Sequence, residues 1–163
     1  MPLLKKRMLT WKRALSGLIC AVALYVGYAL CGIYHMVHVV IPHSYAAWDV
    51  GNLLVEYMDT HNGKWPQSWK NLHEAEDSLR QKGKNVYWNF DELPSIVKID
   101  WNAEPEALAK NALAGGNLKI VTQLDGSRLE AKWGPDTEPN RKVAEYLIKR
   151  HSTNSVKSAV TSP

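Results

Sequence analysis

Between Ala14 and Ile41 the chain carries no Asp, Glu, Lys or Arg, and no acidic residue precedes Asp49. The missing charge excludes a solvated surface helix over this run, in which Leu, Ile, Val, Ala, Tyr and Gly dominate. At about 1.5 Å per residue the run reaches about 42 Å, more than the roughly 30 Å of hydrocarbon that a membrane helix has to cross. Cysteine is nearly absent too, and both copies, Cys20 and Cys31, lie inside the apolar run. The rest of the chain therefore has no disulfide of its own and must be held by burial. Trp48, Trp65, Trp69, Trp88, Trp101 and Trp133 suit that task, since an indole buries a large area while its N–H finds a partner.

What is present ahead of the run is basic: Lys5, Lys6, Arg7, Lys12 and Arg13. Of 20 Lys and Arg these five precede it, leaving 15 basic against 16 acidic residues elsewhere. The basic isoelectric point is thus a topological signal, and a nucleic-acid partner is excluded because the bulk of the chain is near neutral. By the positive-inside rule, residues 1–13 form a cytoplasmic N-terminus, 14–41 a transmembrane helix, and 42–150 an extracytoplasmic domain of the cell (inner) membrane. Ser44, Tyr45 and Ala46 make a small-x-small pattern like a signal-peptidase site, yet the apolar run is longer than the usual 7–15 residues of a signal h-region. A retained, single-pass signal-anchor is the expectation. Leu30, just before Cys31, does not fit a lipoprotein site.

Ser16, Cys20, Ala23, Gly27 and Cys31 recur at helical spacing and form a small-residue face. Such faces let membrane helices approach closely, so membrane lipid is one partner and a homo-oligomer through this helix another. His35, His38 and His43 cluster near the outer boundary, but no Cys, Asp or Glu completes a metal site, and they read as polar groups at headgroup level.

Beyond Pro42 the spacing of Ala47, Val50, Leu54 and Tyr57 predicts an amphipathic helix, capped by Ser44 and stopped at His61, Asn62 and Gly63. Ser68 caps a second helix lined by Trp69, Leu72, Ala75 and Leu79, ending at Gly83. Alternation predicts strands over Val86–Phe90 and Val97–Trp101, and from Pro105 the chain forms either a short helix that stops at Gly115 and Gly116 or an ordered loop. Asp125-Gly126 predicts a two-residue hairpin turn pairing Leu124 with Ser127, Thr122 with Leu129, Ile120 with Ala131 and Leu118 with Trp133. A last helix starts near Thr137 or Glu138 and buries Val143, Tyr146 and Leu147. Residues 151–163 are too polar to fold. The fold class is α+β: a transmembrane helix continuing into an amphipathic helix, then a small antiparallel sheet with short helices.

Leu53, Leu54, Tyr57, Asn62, Gly63, Trp65, Pro66, Ser68 and Leu72 form a pattern that resembles type IV pilin-like and type II secretion pseudopilin proteins. The resemblance covers residues 14–72. It implies an anchor helix leading into a small sheet domain, and a subunit of a secretion or filament machine. The prepilin-peptidase site is absent: after Gly17 and Leu18, Val22 stands where those families have Glu.

No catalytic pattern is complete. His73, Glu74, Ala75, Glu76 and Asp77 lack the second His of a zinc-protease helix, and Gly63-Lys64 is followed by Trp65 where a phosphate loop needs Ser or Thr. Glu56, Asp59 and His61 are close enough in sequence to bind a cation or to act as acid and base, although charges there also solvate an exposed face. A small membrane-bound enzyme is therefore the alternative. The reading that fits best is a non-catalytic interaction or scaffold domain, without a cofactor, facing a protein partner in or outside the membrane.

Overall fold

Pro2–His35 form one helix, α1, and a π-helical turn, Met36–Val40, follows it. The structure, a computed structural model, describes residues 2–129 and 138–160. It divides into two units, Met1–Val40 and Ile41–Pro163. In the first, side chains from Leu15 to Tyr28 are all exposed. The helical stretch Leu15–Thr60 contains an 18-residue window of mean hydropathy 1.9, none of it buried, which makes it a candidate membrane span. The π-turn has a local cause. Pro42 has no N–H to offer the carbonyl four residues back, at His38, and its ring crowds that carbonyl; a widened turn relieves both.

The second unit is built on α2, Ile41–Thr60. Ala46, Ala47, Val50, Leu53, Leu54, Tyr57 and Met58 are all buried. That stripe is wider than one contact face because two helices share it: α3, Trp69–Gln81, and α5, Pro139–Val160, both pack on α2. Leu72, Ala75 and Leu79 come from α3, and Val143 and Leu147 from α5. Gly51 permits the closest approach, since a Cβ there would lie 3.0 Å from Cα of Pro139. Ser44 lies inside α2, so the expected cap is not the start of this helix. The predicted stop does hold: Asn62 and Gly63 have φ of 55° and 77°, and Gly63 N–H donates to Met58 O at 2.7 Å. Ser68 occupies the position before α3, but its hydroxyl makes no capping bond to the helix.

Among the described residues the fold is mostly helical, with one two-stranded antiparallel sheet. β1, Val97–Ile99, pairs with β2, Val121–Gln123, in the register Val97↔Gln123, Lys98↔Thr122 and Ile99↔Val121. α4, Pro105–Leu113, connects them and packs on α5. Val97, Ile99, Ile120 and Val121 join the core. Beside β2, the buried Asn140 amide accepts from Ile120 N at 2.8 Å and Val121 N at 2.7 Å and donates to Val121 O at 3.0 Å. It ties α5 to the strand and satisfies backbone groups that burial would otherwise leave unpaired.

Three expectations are corrected. Residues 86–90 are not a strand: Phe90–Ser95 form a 3-10 helix, and Tyr87 and Trp88 give their N–H groups to a side chain of α2. The expected hairpin ladder is not seen among the described residues: β2 pairs with β1, residues 127–129 are outside any strand, and what remains is a turn one residue longer, with Gln123 N–H donating to Ser127 O (3.0 Å) and Gly126 N–H to Gln123 O (2.9 Å). The loop is then Leu124, Asp125 and Gly126, a type I turn whose last residue takes the left-handed angle, φ 82°. Ser127 N–H donates to Asp125 Oδ1, fixing that choice. Ala131 and Trp133 lie outside the described residues. Finally, the chain from His151 is helical to Val160, against the expected unfolded tail. Extending a formed helix costs little, and Ser152 and Thr153 bond back to Ile148 O and Lys149 O.

Candidate functional site

Asp49 lies on the face of α2 that also buries Ala46, Val50 and Leu53, and is 1% exposed. Its Oδ2 accepts from the backbone N–H of both Tyr87 and Trp88, each at 2.8 Å. These two bonds pin the segment between α3 and the 3-10 helix onto α2. Burial pushes the Asp49 carboxyl above its ordinary value, a push that the Trp88 and Tyr87 bonds and the Lys142 charge only partly offset. Among the described residues, Asp49 Oδ1 and the indole N–H groups of Trp48 and Trp88 are buried with no hydrogen-bond partner.

Aromatic rings gather over this carboxylate. Tyr87 stacks on Trp48 with centroids 5.3 Å apart and meets Tyr45 at 5.8 Å. Tyr45 and Tyr87 are 47% and 58% exposed, so the cluster is buried at its root and open at its surface. Lys142, from α5, places Nζ 5.1 Å from the centre of the Trp48 ring and donates to Asn52 Oδ1 at 2.6 Å. Burial lowers its ammonium pKa, and Lys84 lowers it further by like-charge repulsion, against the pull of Asp49 and Glu145. The face therefore presents tyrosine rings and phenol groups beside two lysines, all held by a locked base.

Glu56, Asp59 and His61 are not placed together to hold a metal ion. Glu56 is buried, and its Oε1 accepts from Ser78 Oγ and Lys82 Nζ of the α3 end, both at 2.6 Å. Burial pushes this carboxyl up, but the Lys82 and Ser78 bonds outweigh it and hold the pKa below the ordinary value. Asp59 is exposed. His61 stacks on Tyr57 at 4.0 Å and approaches Glu74 at 3.6 Å. Glu56 meets the end of α3 and His61 meets Glu74 within it, while Asp59 bears on the charge of Lys82. Ser16, Cys20, Ala23, Gly27 and Cys31 are all exposed on α1, with both thiols free. His73 meets the Phe90 edge at 5.0 Å, and His38 lies 4.3 Å from Tyr34. Among the described residues no group of three His, Cys, Asp or Glu side chains is placed to hold a metal.

The Asp49 cluster escapes a pattern search because its members come from three separated stretches of sequence. One signal was available: Asp49 occupies a stripe position between Ala46 and Leu53, where an apolar residue is expected. No protein-family model matches the chain, and no curated protein or solved structure is similar to it.

Proposed function

We propose that the chain is a single-pass membrane protein. Its basic N-terminus stays in the cytoplasm, and the unit from Ile41 onward stands outside it as a non-catalytic interaction or scaffold domain. One contrast carries this reading. The second unit buries its apolar side chains in a core of its own, while α1 leaves Leu18, Ile19, Leu24, Tyr28, Leu30 and Ile33 each at least 59% exposed. In water that surface is costly, at roughly 25 cal/mol per Å² of apolar area, whereas hydrocarbon covers it without loss.

Protease added to right-side-out vesicles tests the topology: it should remove a C-terminal tag and spare an N-terminal one. Equal protection of the two tags, or release of the domain by an alkaline wash, rules the reading out. Crosslinking of the tagged full-length protein in its own membranes tests the second half. It should return a defined complex, whereas turnover of a substrate by the purified protein would favour the enzyme reading.

A further inference from the structure

The Tyr45–Trp48–Tyr87 cluster sits on the first two turns of α2, and Ile41, where α2 begins, also closes the apolar run. We infer that this aromatic and basic face of the second unit lies against phospholipid headgroups, as a second contact that fixes the orientation of the domain on the membrane. The inference rests on the reading of α1 as the anchor.

Distance along the chain carries the first part. Along a helix Tyr45 is at most about 6 Å, and Trp48 at most about 10 Å, beyond Ile41. The headgroup layer on each side is about 5–8 Å thick, so with the apolar run ending at the hydrocarbon boundary Tyr45 starts within that layer and Trp48 at its outer edge. Tyr87, although distant in sequence, is held at the same level, because its ring packs on Trp48 and Tyr45 and its backbone is bonded to Asp49. Tyrosine and tryptophan favour this depth, where the ring meets apolar surface and the polar tip stays wet.

Charge carries the second part. Lys84 is exposed, and Lys142 stands over the Trp48 ring, near enough to Lys84 to feel its charge. Two neighbouring ammonium groups beside exposed tyrosines complement lipid phosphates, and an anionic headgroup between them would relieve their repulsion. The indole N–H groups of Trp48 and Trp88 are buried, so the polar groups this cluster offers outward are the phenols of Tyr45 and Tyr87 and the ammonium of Lys84.

Spin labels on the full-length protein in nanodiscs of phosphatidylcholine and phosphatidylglycerol test this. With Cys20→Ala and Cys31→Ala, a label is placed through Tyr87→Cys, through Lys84→Cys or through Gly27→Cys. Collisions with oxygen and with a water-soluble nickel chelate give its depth, calibrated with headgroup- and chain-labelled lipids. Labels at positions 87 and 84 should read headgroup depth, with the nickel chelate excluded several-fold relative to bulk water, and the label at 27 should read hydrocarbon. The Lys84 label keeps the test valid if loss of the Tyr87 ring disturbs packing. Hydrocarbon depth at 27 with bulk-water values at 84 and 87 overturns the headgroup contact while leaving the anchor intact. Water at 27 removes the anchor and the inference together. Shielding of 87 from both reagents that grows with the number of copies per disc shows a second protein molecule on the face, and also overturns it.

Discussion

Asp49 and Glu56, two helical turns apart on α2, are both buried carboxylates, and acid acts on them in opposite directions. The pKa of Asp49 is raised in the folded state, so folding binds a proton more readily than the unfolded chain does, and stability falls as pH rises from about 4 through the folded value. Glu56 is held low, so the stability it contributes is present above its unfolded pKa and is lost as pH falls below about 4.5. Thermal melts between pH 7 and pH 3 should therefore show a steeper acid loss for Asp49→Asn than for the parent, and a shallower one for Glu56→Gln. Parallel curves for all three proteins would mean that neither carboxyl is perturbed as described. Asn140 offers a sharper test, because its amide makes three bonds to the backbone of Ile120 and Val121. Asn140→Ala should cost on the order of 2 kcal/mol or more in denaturant unfolding, and Asn140→Asp should not restore it, since a carboxylate cannot donate to Val121 O.

Helices were legible wherever burial is one-sided. α3 reads directly from Trp69, Leu72, Ala75 and Leu79, and α4 from Pro105 and Gly115, because spacing and end signals agree. Strands were less so. Val86, Trp88 and Phe90 alternate like a strand, yet among the described residues no neighbouring strand offers a ladder there, and the Asp49 carboxylate takes the N–H groups of Tyr87 and Trp88 instead. Strand pairing is set by partners far along the chain, and a one-residue change in the loop moves every pair. Asp125 and Gly126 do lie in a turn, though one a residue longer than expected, and the positive φ of Gly126 makes Gly126→Val a fair test: the melting midpoint of the full chain should drop by the equivalent of about 1 kcal/mol or more. Between helices, Gly51→Val should be worse than its helix propensity alone implies. Its side chain would press on Pro139 backbone at the α2–α5 seam, an overpacking cost of about 1–3 kcal/mol by denaturant unfolding.

Over the whole chain, the exposed small-residue face of α1 predicts association in the membrane. Cys20 and Cys31 are both free and exposed on that helix, and among the described residues nothing beyond the helix's own backbone and Gly27's chain neighbours lies within 4 Å of where a Cβ at Gly27 would sit. Oxidative crosslinking of the membrane-embedded protein should give a dimer through either cysteine, and Gly27→Leu should reduce it while leaving insertion intact, because Leu suits the bilayer core. Monomer alone, in both the parent and Gly27→Leu proteins, would reduce the face to ordinary membrane-helix composition. The same scale separates what sequence and tertiary structure each decide. The apolar run, its basic flank, the helix periods and the turn at Gly126 are local properties, carried by neighbours within a few residues, and so the sequence by itself determined them. Which carboxylate is buried, which strands pair and where the tyrosines gather depend on contacts between distant residues: Asp49 with Tyr87 and Trp88, Val121 with Ile99 and Asn140, Lys142 with Trp48. Only the tertiary structure decided these, because burial and hydrogen-bond partners are properties of packing, and no period in the sequence encodes them.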